Sequence, residues 1–172
     1  VVGTNINQAL LYENIEVNGK PDFQLAQNDF MVEHSLDFGS DSQPAFLDYN
    51  ADGLMDIIIG SYGIIGFGAV QTHLYLFENR GTNTSPSYHL VNNDYLDFTS
   101  FSEFDKSYVP ATGYLDSDGD VDLLRGTLTG QIIFVENTAG ESMPVNFSEP
   151  QFNYMELDTE NNTVRVSIGD LD

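Results

Sequence analysis

The chain has 172 residues, 41% of them apolar with 12 Phe and 9 Tyr, enough to build the core of one ordinary domain. Its 27 acidic residues against 5 Lys+Arg give a formal net charge of −22, which excludes a nucleic-acid binder and argues against direct docking on an anionic membrane, because both need a basic face. There is no Cys, so disulfide frameworks and thiol catalysis are excluded, and no apolar run approaches the roughly 20 residues of a membrane helix.

The chain opens Val1-Val2-Gly3, without an initiator Met or a signal peptide, and is expected to be a piece of something longer. The first recognisable unit is Leu10-Leu11 followed by Tyr12-Glu13-Asn14. Pro21 stands seven residues after Asn14, then come Phe23 and Phe30. The same order returns from Leu74 to Asn79, with Pro86, Tyr88 and Tyr95, and again from Ile132 to Asn137, with Pro144, Phe147 and Tyr154. Matches held in register over three copies mark a tandem repeat. The repeat units run about 1–47, 48–113 and 114–169, with a truncated fourth start at 170–172.

Between these markers lie acidic loops. The first is Asp48-Tyr49-Asn50-Ala51-Asp52-Gly53-Leu54-Met55-Asp56, followed by Ile57-Ile58-Ile59-Gly60. Asp48, Asn50 and Asp52 can turn inward from a tight loop, Gly53 permits the sharp turn, the carbonyl of Leu54 faces the same centre, and Asp56 closes from the following strand. Six or seven hard oxygens at that spacing suit Ca2+. Three carboxylates this close repel unless a cation sits between them. The second loop begins at Tyr114, which cannot act as a carboxylate. Asp116, Asp118 and Asp122 remain, with Asp120 offering its carbonyl or facing water. A third loop starts at Asp170 and Asp172. A metal-free turn competes with this reading, since Asp, Asn and Gly favour turns anyway. A helix-loop-helix calcium motif does not, because position 12 is Ile59 or Arg125 where a bidentate Glu is required.

Strands are expected at Met55–Gly60, His73–Phe77, Val121–Gly126, Gln131–Val135 and Thr163–Ile168, all rich in branched and aromatic residues. No window keeps a helical period. About four short strands per repeat of roughly 60 residues is the spacing of a β-propeller blade or a similar all-β array. The middle repeat carries an insertion in which Ile64, Ile65 and Phe67 lie among glycines. It reads either as a contact surface or as a hairpin folded back on its own sheet. His34, His73 and His89 do not cluster, and no acidic pair stands out as catalytic.

On positions 48–60, 114–126 and Phe77 to Tyr88, the chain resembles the FG-GAP/VCBS repeat family, the calcium-binding propeller blades related to those of integrin alpha subunits. Tyr114 departs from the family pattern, which puts full coordination at the second loop in question. The resemblance implies an all-β fold: a propeller segment of about three four-stranded blades, part of a larger propeller of about seven. It implies Ca2+ as a structural staple, an extracellular or cell-surface location, and a non-catalytic role in protein or glycan binding. A scaffold of a secreted polysaccharide-degrading enzyme is the alternative, weakened by the absence of Trp. A purely architectural part of a larger assembly is the third reading.

Overall fold

The computed structural model describes residues 2, 3, 9–28, 38, 41–61, 64–66, 69–101, 108–157 and 163–169. They are mostly antiparallel β-sheet. Strands β1 (Val2–Gly3), β2 (Ala9–Asn14) and β3 (Phe23–Gln27) form the first sheet in chain order. The second contains β4 (Gln43–Leu47), β5 (Asp56–Gly60), β8 (Leu74–Asn79) and β9 (Tyr88–Asn92). Its β5–β8 connection holds a separate hairpin, β6 (Ile64–Gly66) with β7 (Ala69–Gln71). The third sheet is β10 (Val109–Gly113), β11 (Asp122–Gly126) and β12 (Ile132–Val135). Among the described residues no helix is long and apolar enough to cross a membrane.

The Ile57-Ile58-Ile59 run shows why the sheets stack. Successive strand residues point to opposite faces, so an unbroken apolar run needs cover on both sides. On one face Ile58, opposite Leu76, joins Ala45, Leu47 and Leu74 in a cluster with Leu123, Ile133 and Val135 of the third sheet. On the other, Ile57 and Ile59 pair with Phe77 and Tyr75 and pack with Phe38, touched by Leu11 of β2. Phe38 meets both rings edge-on, at 5.3 and 5.9 Å. Every residue of β5 is buried. Each of its three isoleucines contributes roughly 1.5–3 kcal/mol of burial.

A 3₁₀ turn, Tyr95–Phe101, brings Phe98 into the core between the second and third sheets. There the guanidinium of Arg125 lies 3.7 Å from the Tyr108 ring centroid and 4.8 Å from that of Phe98. Stacking on two π-faces favours a cation where water is absent. The Tyr108 hydroxyl donates to the Phe98 carbonyl at 2.6 Å.

Among the described residues, only the second sheet shows four strands. In the third, the fourth position is reduced to single bridges, Phe134 with Gln151 and Asn137 with Phe147. Pro150 has no N–H for a ladder. The expected strand over 163–168 is also not a strand. These residues alternate between exposed and half-buried, and Val164 N donates to Thr127 O at 2.9 Å, but no ladder forms.

Burial pushes the Tyr95 hydroxyl well above its ordinary value, reinforced by Tyr49, and burial also raises that of Tyr88, with the Asp56 charge adding to it. A folded-state value raised above the unfolded one gives stability that is complete below pH about 10 and lost as pH climbs higher. Spectrophotometric titration is therefore expected to show some tyrosines ionising only on alkaline unfolding. Nine tyrosines ionising together near pH 10, with the fold intact, is the contrary result.

Candidate metal centre

The first acidic loop connects β4 to β5 and is closed by its own side chains. Asp48 accepts from Asp52 N at 3.1 Å and from Gly53 N at 2.8 Å, through its two carboxylate oxygens. Asn50 Oδ1 also accepts from Asp52 N, and its Nδ2 donates to Asp52 Oδ2 at 2.9 Å. Asp52 Oδ1 accepts from Leu54 N at 2.8 Å. Gly53 has φ +83° and its counterpart Gly119 has +86°, the left-handed conformation that glycine adopts without strain.

Asp56 does a different job. It is fully buried at the start of β5, where Oδ1 accepts from Asn79 N at 2.7 Å and Oδ2 from Tyr49 N at 3.0 Å. It thus ties the loop to the end of β8. Asp122, also fully buried, accepts from Asn137 N at 2.9 Å and Leu115 N at 3.1 Å. The two carboxylates hold the same frame in two sheets. Burial pushes the Asp56 carboxyl up. Its two backbone bonds pull it down, and the charges of Asp52 and Asp48 push it up again, leaving it raised.

The asparagine of each marker closes the turn that follows. Asn14 Oδ1 accepts from Glu16 N and Asp22 N. Asn79 Oδ1 accepts from Gly81 N and Ser87 N. Asn137 Oδ1 accepts from Ala139 N and Asn146 N. These six bonds span 2.9–3.2 Å.

In the second loop Asp118 N donates to Asp116 Oδ1 and Asp120 N to Asp118 Oδ1. Of the two roles expected for Asp120, a side chain facing water is not what the structure shows. Its side chain is 5% exposed, and Oδ2 accepts from Gly140 N at 2.7 Å. Tyr114 is 70% exposed. Asp170, Asp172 and Phe67 lie outside the described residues. Ile64 and Ile65 sit on β6, paired with Gln71 and Val70.

The structure brings Asp48 and Asn50 each into contact with Asp52 and places Asp56 at the neighbouring strand junction. Among the described residues no three acidic or histidine side chains close into a group that could hold a metal. The donor chemistry still suits a hard cation. Each carboxylate oxygen that takes one N–H keeps a further lone pair, and Asp120 Oδ1 is buried with no hydrogen-bond partner. The sequence reading missed Glu78, whose Oε1 accepts from Asn50 Nδ2 at 3.4 Å and which pairs with Arg80. Its signal was the glutamate recurring before each marker asparagine. No family model, curated protein or solved structure matches the chain.

Proposed function

We propose that the chain is a non-catalytic, calcium-stabilised segment of a β-propeller, its three sheets acting as successive blades, that presents its loops for protein or glycan binding outside the cell. The observation that carries this reading is the repeated frame in which Asp56 and Asp122 each bracket two backbone N–H groups behind an Asp- and Asn-rich loop. Such a loop has a rigid base and an outward rim of carboxylates. Asp48, Asn50, Asp52 and Asp56, with the Leu54 carbonyl, would hold one ion. Asp116, Asp118, Asp120 and Asp122 would hold a second, and Asp170 and Asp172 belong to a third loop. A bound calcium supplies charge neutralisation and pins each loop to the strand behind it.

The remainder of a larger propeller, or a partner chain, is the proposed neighbour of the first sheet. Phe23 is 64% exposed and Leu25 47%, which leaves β3 with an apolar surface to cover. Ile64, Ile65 and Phe67 form the second proposed contact surface.

A ligand bound only by the folded form stabilises it by mass action, about 2.7 kcal/mol at a hundredfold excess over Kd. For a chain of this size that is roughly 5–10 °C in Tm. Millimolar calcium is expected to raise Tm by that amount, chelation to reverse it, and Asp52→Ala to remove much of it. Equal stabilisation by potassium chloride would mean that general charge screening is the cause, and the calcium reading would fail.

A further inference from the structure

The two contacts between neighbouring sheets are one contact made twice. Counted back from the marker asparagines, Leu11, Leu76 and Phe134 are counterparts, and so are Tyr12, Phe77 and Val135. The first sheet lays Leu11 against the Phe77 face of the second, and the second lays Leu76 against the Val135 face of the third. The stack thus runs head to tail, each sheet covering the next in the same sense.

The two ends of this stack leave the same surfaces uncovered. At the head, Tyr12 and Phe23 are exposed, whereas their counterparts Phe77 and Tyr88 are buried and half-buried in the cluster that Leu11 touches. At the tail, the 3₁₀ turn Tyr154–Glu156 repeats the turn at Tyr95, including two successive left-handed residues, Met155 and Glu156 for Leu96 and Asp97. Phe98 of the earlier turn is fully buried between two sheets, and its counterpart Leu157 is exposed.

The backbone repeats the pattern. Gly169-Asp170-Leu171-Asp172 follows 163–168 as Gly113-Tyr114-Leu115-Asp116 ends β10, so 163–169 stand in the place of β10. They dock alike: Val164 N donates to Thr127 O at 2.9 Å beside Gly126, as Tyr108 N donates to Ser61 O at 3.0 Å beside Gly60. Their burial alternates with the period of a strand. β4 and β10 each pair with the following strand of their own sheet, whereas among the described residues no strand pairs with 163–169. At the head, β1 stands in the place of β5 and β11, since Gly3 pairs with Ala9 as Gly60 pairs with Leu74 and Gly126 with Ile132. Among the described residues its outer edge is unpaired.

We propose that the chain associates head to tail with a second copy of itself. Residues 163–169 of one copy pair with β1 of the next, and the two complete a four-stranded sheet of the same order as the second sheet. The uncovered Tyr12 and Phe23 then close against the tail that carries Leu157. The occupant of each end has to carry the surface of the other end, and this chain carries both. An open strand edge gives the main-chain bonds and the apolar faces give the burial. Such a contact is heterologous, so it closes into a ring or runs on as a filament. The inference rests on reading the three sheets as successive blades and not on calcium.

The test is light scattering on the full chain over two decades of concentration, in physiological salt that screens its charge of −22. The mass is expected to rise from one copy to two or more. Phe23→Asp and Leu157→Asp, at exposed positions on opposite ends, are each expected to weaken association about tenfold or more. An equal mixture of the two is expected to pair again, because the intact tail of the first variant meets the intact head of the second. Val166 stands in the place of Pro44 and Pro110, which have no N–H, so the ladder bonds come from the residues on either side. Ser167→Pro is therefore expected to weaken association, and Val166→Pro to leave it unchanged. A monomer at every concentration, association indifferent to both end variants, or a mixture that does not pair would overturn the proposal. Gly60→Ala reads the stacking inside one chain separately. A large loss of stability there with a monomeric wild type removes this inference alone, and no loss removes the blade reading with it.

Discussion

Alanine at Gly60 is expected to cost about 3 kcal/mol or more, among the largest effects of any single methyl group in the chain. A Cβ there would stand 2.2 Å from the carbonyl oxygen of Tyr108 and 2.8 Å from Cδ of Pro110. Gly126 is placed alike, with a Cβ 2.2 Å from the carbonyl oxygen of Val164. Backbone atoms cannot rotate aside as a side-chain tip can. Next to each glycine, one backbone bond joins the chain to the segment that leads away: Tyr108 N to Ser61 O at 3.0 Å, and Val164 N to Thr127 O at 2.9 Å. The glycines thus let one strand end lie directly against the incoming segment. Gly53→Ala provides the contrast. No atom lies within 4 Å of its Cβ position, so only the positive φ opposes the change, at about 1 kcal/mol. Urea midpoints are expected to fall much further for Gly60→Ala and Gly126→Ala than for Gly53→Ala. Equal falls would show that the close approach of strand end and incoming segment does not exist in solution.

The local elements were legible because strand chemistry is local. Ile57-Ile58-Ile59, Leu74-Tyr75-Leu76 and Ile132-Ile133-Phe134 all lie in strands. The absence of alternation in the first of them already implied cover on both faces. What covers each face was not legible, because it depends on residues such as Phe38 and Phe98, whose positions no nearby pattern fixes. The marker asparagines were visible as a repeat, but not as clasps. Their partners are backbone N–H groups two to nine residues on, and any residue but proline supplies one.

The acidic loops show the same divide. Gly53 and Gly119 were readable as turn residues from spacing alone, and both have positive φ. Asp120 was expected to offer its carbonyl or to turn its side chain to water, and the second of these does not hold, because the side chain is buried against Gly140. The turn after β12 folds over the loop, and spacing inside a loop carries no information about a turn twenty residues away. Arg125 served only as an argument against a helix-loop-helix motif. Its place between Phe98 and Tyr108 depends on a long-range fit of two sheets.

Replacing Asp56 by asparagine is expected to remove about 2–4 kcal/mol of stability, although the two side chains have the same shape. Asp56 accepts two N–H groups, one on each oxygen. An asparagine has one acceptor oxygen, so its NH2 group would confront either Asn79 N–H or Tyr49 N–H, donor against donor, in a fully buried place. Asp122→Asn is expected to behave alike, against Asn137 N–H or Leu115 N–H. A fall below about 0.5 kcal/mol in either variant would mean that the bracket does not hold loop to strand. The pH dependence separates charge from hydrogen bonding. The Asp56 carboxyl is raised in the metal-free fold, so the protonated form is the better tolerated one. The stability this group contributes is therefore complete below the ordinary carboxylate value and is lost as pH rises through the raised value. Mild acidification of the metal-free wild type should accordingly relieve part of the strain at this position, and Asp56→Asn should not show that gain. If the loops hold calcium as proposed, the sign is expected to invert, because acid then competes with the ion for the same oxygens. Melting curves taken down the pH scale, with calcium and with chelator, are expected to diverge in opposite directions, and parallel curves would show that the loop carboxylates do not sense a cation at all.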